Sequence, residues 1–83
     1  MVTIRVAENA DADLVEAYQK LTPQLSSSSP APTKDELAAI IKSDSATVLV
    51  AEDESGTILG SMTLVVFQIP TGVRAWIEDV VVD

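Results

Sequence analysis

Neither cysteine nor histidine occurs in this chain. Disulfide bridges are excluded, and so is a zinc site of the usual Cys and His type. The serines of the run Ser26 to Ser29 have no histidine to act as their base, which makes them poor nucleophiles. Bases are scarce too: five Lys and Arg stand against thirteen Asp and Glu, for a net charge of −8. Nucleic acid and anionic lipid both require a basic footprint, so neither is an expected partner. No apolar stretch approaches the ~20 residues that span a bilayer. Met1 to Val6 lacks the charged and long apolar regions of a signal peptide, and the expectation is a soluble cytoplasmic protein. Tyr18, Phe67 and Trp76 are the only aromatic residues, so the 47% hydrophobic content is mainly Val, Ile, Leu and Ala, material for sheets and helices.

Eighty-three residues make one domain at most, and a chain this short removes only about 60% of its unfolded surface from water. Domains below roughly 80 residues usually lean on disulfides, a metal or another subunit. With the first two set aside, association with another chain is the support left open.

Thr3 to Ala7 alternates polar and apolar side chains as a half-buried strand does. Asn9 or Asp11 then offers an N-cap, and Leu14, Val15, Tyr18 and Leu21 fall on one stripe of a helix that Pro23 is expected to close. Residues 22–33, "TPQLSSSSPAPT", read as a flexible Ser/Pro loop. Thr33-Lys-Asp-Glu36 fits a capping box, opening a second helix with Leu37, Ile40 and Ile41 on its buried stripe. From Ala46 the period drops to two: a strand over 47–51, a turn at Asp53 to Gly56, a long strand over 57–69, a turn at Pro70 to Gly72, and a last strand from Val73 onward. Connections this short force neighbouring strands to be antiparallel.

The last strand is expected to carry Trp76, Glu78, Val80 and Val82 on one face and Ala75, Ile77, Asp79, Val81 and Asp83 on the other. Both faces are largely apolar, the pattern of a strand covered on both sides with neighbours along both edges. Its position at the end of the chain leaves one edge free to pair with another chain.

The order of these elements, the opening "IRVAENADADLVEAY", the hairpin "VLVAEDESGTILGSMTL" and above all "WIEDVVVD" resemble the N-terminal half of the GCN5-related N-acetyltransferase (GNAT) family, over essentially the whole chain. The stretch "IEDVVV" is most similar to members that acetylate amino sugars and other small primary amines. The resemblance implies an α+β half fold, β-α-α-β-β-β, with a mostly antiparallel sheet. It also implies that the backbone of Val80, Val81 and Val82 holds the pantetheine arm of acetyl-CoA, and that the match to the strand motif makes Glu78 and Asp79 the catalytic candidates. The family's glycine-rich phosphate loop, an Arg or Gln followed by x-x-Gly-x-Gly or Ala, does not occur here; the three glycines, Gly56, Gly60 and Gly72, suit a meander.

An amine must lose a proton before it attacks a thioester, and a carboxylate whose basicity is raised by burial, or one working through water, can take it. Glu78 and Asp79 are expected on opposite faces and hence in different roles. The plainer alternative is two solvated acids where the strand leaves its sheet, although burying a carboxylate among Val, Ile and Trp is costly. Relatives place their substrate wall near Tyr18 and Leu25, with core packing the simpler role for Tyr18; Asp83 is expected to be solvated. The expected protein is therefore part of an acetyltransferase, inactive until a missing C-terminal half completes it. One alternative is a non-enzymatic module that pairs with a second copy, as a dimer, through its last strand. Another is a small acidic module that grips a partner with its Ser/Pro loop.

Overall fold

The computed structural model describes residues 1–83 and contains six elements: β1 (Thr3–Val6), α1 (Ala12–Leu25), α2 (Lys34–Lys42), β2 (Ala46–Glu52), β3 (Ile58–Ile69) and β4 (Gly72–Val82). Local chemistry sets most of the boundaries. Asp11 caps α1 by accepting the Leu14 amide at 2.9 Å. At α2 both halves of the expected capping box are present, the Glu36 amide donating to Thr33 Oγ1 and the Thr33 amide to Glu36 Oε1. Asp53 organises the turn between β2 and β3, its carboxylate accepting the amides of Ser55 and Thr57. Gly56 takes the left-handed conformation that this turn needs, with φ at 83°.

Two features differ from the sequence reading. Pro23 lies inside α1 and does not end it. A proline removes one amide from the ladder, but the bond it forfeits would have gone to the carbonyl of exposed Gln19, which water can satisfy. Buried Leu21 and Thr22 hold the final turn, and Ser26 donates its amide to the Thr22 carbonyl at 2.9 Å. The connection between the helices is accordingly 26–33, and residues 22–25 of the expected loop are helical. The second difference is Ile40, which is 37% exposed while Leu37 is fully buried. In a helix of nine residues set against one strand, a single position per turn reaches the core.

The strands form one sheet in the order β1-β2-β3-β4, antiparallel throughout. Both helices lie on one face, α1 over β3 and β4 and α2 over β2. Between them sits the core: Leu14, Tyr18 and Leu21 from α1, Leu37 from α2, and Val48, Val50, Ile58 and Val81 from the sheet, with Ala7 at its margin. Each large aliphatic side chain buried there contributes about 1.5–3 kcal/mol.

Directly opposed residues on paired strands share a face. Ile4 opposes Ala51, Val6 opposes Leu49, Leu49 opposes Met62, and Leu64 opposes Ile77. This second face is apolar and carries no helix; Ile4 is 63% exposed and Ile77 55%. Accessible surface totals 5630 Å², against about 4,800 Å² for a folded monomer of this mass. The radius of gyration, 13.2 Å, also exceeds the roughly 12 Å expected for its length. Exposed apolar side chains are found on the bare face and along β4, which is built with two apolar sides yet stands at the sheet edge. No helix is long and apolar enough to cross a membrane.

Candidate functional site

The β3–β4 pairing slips once. Ser61 opposes Val81 and Thr63 opposes Glu78, so Met62 alone faces two residues of β4, Asp79 and Val80. The extra residue is a β-bulge, a device that bends a strand and re-aims its side chains. Asp79 absorbs the distortion with φ at 52° and is the only non-glycine residue with positive φ. Aspartate is among the few side chains that enter this region readily, because its short polar group bonds locally. Just beyond the bulge β4 presses against β3: a Cβ placed on buried Gly60 would lie 2.8 Å from the Val81 carbonyl oxygen.

The bulge overturns the expectation that Glu78 and Asp79 face opposite sides. Thr63 opposes both Val48 and Glu78, which puts Glu78 on the helix-bearing face. Asp79 is turned to the same side, where it lines a cavity of about 240 Å³ together with Thr63 and Val48. Their surroundings differ. Glu78 is exposed and accepts a hydrogen bond from the Trp76 indole Nε1. Asp79 is exposed at the mouth of the cavity, whose walls come from α1, the 26–33 connection and α2.

Tyr18 forms the polar end of this cavity. It is buried with Ser61, and their hydroxyls are 2.5 Å apart. Burial is the main cause that pushes the phenol's pKa above its ordinary value, and the negative charge of Asp79 adds to it; hydrogen bonds with Ser61 and Thr63 act in the opposite direction. Tyr18 thus belongs to the core and to the cavity wall at once. Thr22, Ser61 and Thr63 were not picked out by the sequence reading. For the last two a signal existed: polar residues two apart in the otherwise apolar run of β3, on its inward positions.

Val80, Val81 and Val82 separate in the structure. Val81 is buried in the core, whereas Val80 and Val82 are 58% and 74% exposed. Asp83 gives its amide to the Leu59 carbonyl at 2.7 Å, so ladder alternation turns the backbone groups of Val82 to the outer edge, where no strand pairs with β4. Asp83 itself is not simply solvated. Its carboxylate meets Lys20 Nζ at 2.6 Å and Gln24 Nε2 at 3.0 Å, tying the end of β4 to α1. The hydrogen bond from Lys20 is the main cause that holds its pKa below the usual value. A wider hollow of about 380 Å³ between α1 and the Asp53–Gly56 turn shares no residue with the cavity at Asp79 and has a largely charged and polar rim.

A four-stranded antiparallel meander with two helices on one face is a GNAT-type α+β fold. Two solved proteins share this architecture over the whole of the present chain. The glucosamine-6-phosphate N-acetyltransferase from Arabidopsis thaliana superposes with a TM-score of 0.77 at 26% identity, and an acetyltransferase from Trypanosoma brucei with a TM-score of 0.73 at 28% identity. The chain spans 60% and 61% of their lengths. No protein-family profile and no curated protein sequence matches it. The resemblance read from "WIEDVVVD" therefore holds at the level of the fold, with neighbours that are acetyltransferases of that type.

Proposed function

We propose that this chain is the N-terminal part of an acetyl-CoA-dependent N-acetyltransferase acting on a small primary amine, and that it works only when the remainder of such a domain is supplied. The observation that carries the reading is Asp79. A left-handed bulge residue turns its carboxylate toward a hydroxyl-lined cavity, next to an unpaired strand edge, in a fold shared end to end with two acetyltransferases.

Acetyl-CoA would supply the thioester as acyl donor. The outward backbone groups of Val82 and its exposed neighbour Val80 suit the amides of the pantetheine arm, which would lie along β4 as a peptide does in strand addition; Val81 anchors that stretch from the core. For the pyrophosphate this chain offers nothing, since its glycines sit in a turn, in β3 and at a hairpin, and none opens a helix. Asp79 attracts the ammonium of the acceptor and takes its proton, directly or through water, leaving a neutral nucleophile. Glu78 lies on the same face, held by the Trp76 indole, and adds negative potential at the rim. Tyr18, Ser61 and Thr63 fix the wall against which the acceptor rests.

The test is a fusion of residues 1–83 to the complementary portion of the Arabidopsis enzyme, assayed for thiol release with a set of primary amines. Amine-dependent release is expected, falling about 10²-fold in kcat on Asp79→Asn, the scale of one general base. A folded fusion that binds acetyl-CoA and transfers to no amine would refute the reading. The chain alone should take up no acetyl-CoA in calorimetry.

One observation favours a second reading for the chain in isolation. Large apolar side chains stand exposed on β4 and the bare face, among them Ile4, Trp76, Ile77, Val80 and Val82, the kind of surface a protein partner covers. Two copies pairing there would cover it. Light scattering that shows a monomer at high concentration would remove this alternative.

A further inference from the structure

We propose that Asp83, gripped by Lys20 and Gln24, locks the phase of β4 and thereby positions Asp79 in the cavity; the consequence for amine acetylation rests on the acetyltransferase reading. Glu78 lies on the helix-bearing face. In an unbroken strand Asp79, Val81 and Asp83 would therefore all lie on the bare face. The bulge brings them to the helix side together, where Asp79 lines the cavity, Val81 enters the core and Asp83 reaches α1. Contacts that fix Asp83 thus fix the direction of Asp79.

The apolar residues cannot make this choice. A slip of one residue exchanges the two faces of a strand, and register is specified by side chains only where the two phases offer different ones to the core. Val80, Val81 and Val82 offer the same one in either phase. In the bulged pairing Val81 opposes Ser61; in an unbroken one Val80 would stand there instead. The bulge also holds Asp79 at φ 52°, a conformation that costs energy even for aspartate. Something other than valine burial must offset that cost.

Helix α1 supplies it by holding a reference point on each strand. On β3, the Tyr18 hydroxyl bonds that of Ser61 at 2.5 Å. Past the end of β4, the Asp83 carboxylate accepts from Lys20 Nζ at 2.6 Å and from Gln24 Nε2 at 3.0 Å. Lys20 and Gln24 are one helical turn apart, so both reach the same carboxylate, and Gln24 Nε2 also donates to the Lys20 carbonyl at 3.3 Å. These contacts belong to the bulged phase alone, because an unbroken strand would carry the Asp83 carboxylate to the face away from α1. Gly60 makes room for that phase, since a Cβ there would collide with the Val81 carbonyl. Lys20, Gln24 and Asp83 line no part of the cavity; they are positioning residues that act through the register.

The experiment is NMR on the isotopically labelled chain, with cross-strand Overhauser contacts for the main register and relaxation dispersion for the minor one. The parent should show Ser61 opposite Val81 and, at residue 79, the strong intraresidue amide–Hα contact of a positive φ. Lys20→Glu combined with Gln24→Ala turns attraction at Asp83 into repulsion and should raise the population of the unbroken register, with Ser61 opposite Val80, about tenfold. Lys20→Glu combined with Asp83→Lys restores an ion pair of reversed sense and should return the parent pattern, a rescue that a loss of overall stability would not produce. An unchanged register in the first variant overturns the proposal, and so does a charge-swapped chain that fails to regain the parent pattern. In the fusion to the Arabidopsis portion the first variant should lose about tenfold in kcat and the swapped one recover it, because a displaced base is a poorly aimed one. Amine transfer that survives a shifted register would sink the role given to Asp79 and leave the lock standing. An unshifted register sinks the lock whatever the enzyme does.

Discussion

Replacing Asp79 by valine tests the feature on which the site depends, because the residue that looks most natural in "IEDVVV" is the wrong one for the backbone it occupies. Asp79 sits at φ 52°. An L-residue in the left-handed region is disfavoured by roughly 1–2 kcal/mol; aspartate escapes part of this, while a β-branched side chain meets all of it and more. Valine is exposed there and gains little burial in return, so a loss of about 2 kcal/mol is expected. In a domain of this size that lowers Tm by roughly 8–16 °C. Asparagine keeps the conformation without the charge and should melt within a few degrees of the parent. Glycine removes the steric conflict but adds unfolded-state entropy, effects of comparable size near 0.4–1 kcal/mol, and should lie close to asparagine. The assay is thermal unfolding by circular dichroism on the three variants. A valine variant as stable as the asparagine one would show that residue 79 is not left-handed, and the acidic pair would revert to opposite faces of a regular strand.

Four other outcomes follow from the same geometry. Tyr18→Phe leaves the buried Ser61 hydroxyl without its partner and should destabilise by about 1–2 kcal/mol, while adding Ser61→Ala should cost less than the sum of the two single changes. Because Tyr18 is the single tyrosine, its ionisation can be followed at 295 nm. The midpoint should lie above the ordinary value of about 10 and move down in Asp79→Asn, since Asp79 is one of the causes of the rise. The unfolded chain ionises first, so this group's contribution to stability is intact below that ordinary value and is lost as pH rises through the folded pKa. Gly60→Ala forces a methyl against the Val81 carbonyl and should destabilise by roughly 1–3 kcal/mol, with faster hydrogen exchange at Asp83, whose amide bonds to Leu59. Thr33→Ala should remove about 1 kcal/mol by breaking the capping box.

Some of the candidate site was readable in advance and some was not, and the division is physical. "WIEDVVVD" identified the strand and its acids because side-chain chemistry and spacing are written in the chain. Their placement was missed, because period-two alternation assumes an unbroken ladder, and the bulge exists only in the register between β3 and β4. Asp83 likewise finds Lys20 at a distance of dozens of residues along the chain, and no local pattern announces such a pair. Pro23 inside α1 is the reverse case: a local rule was overridden by Leu21 and Thr22 settling into the core.

The sequence by itself determined the capping box at Thr33, a cap at Asn9 or Asp11, the Asp53–Gly56 and Pro70–Gly72 turns, the change of period from helix to strand and hence the order of the six elements. Each of these is fixed by forces acting within a few residues: a side chain bonding a nearby amide, a glycine free to take positive φ, an apolar face repeating at one interval. Tertiary structure alone decided that Asp79 would turn toward Tyr18 and Thr63 and that Val81 would be buried between exposed Val80 and Val82. Those outcomes depend on which strand pairs with which, in what register and under which helix, and burial against distant partners outweighs the preferences of neighbours along the chain.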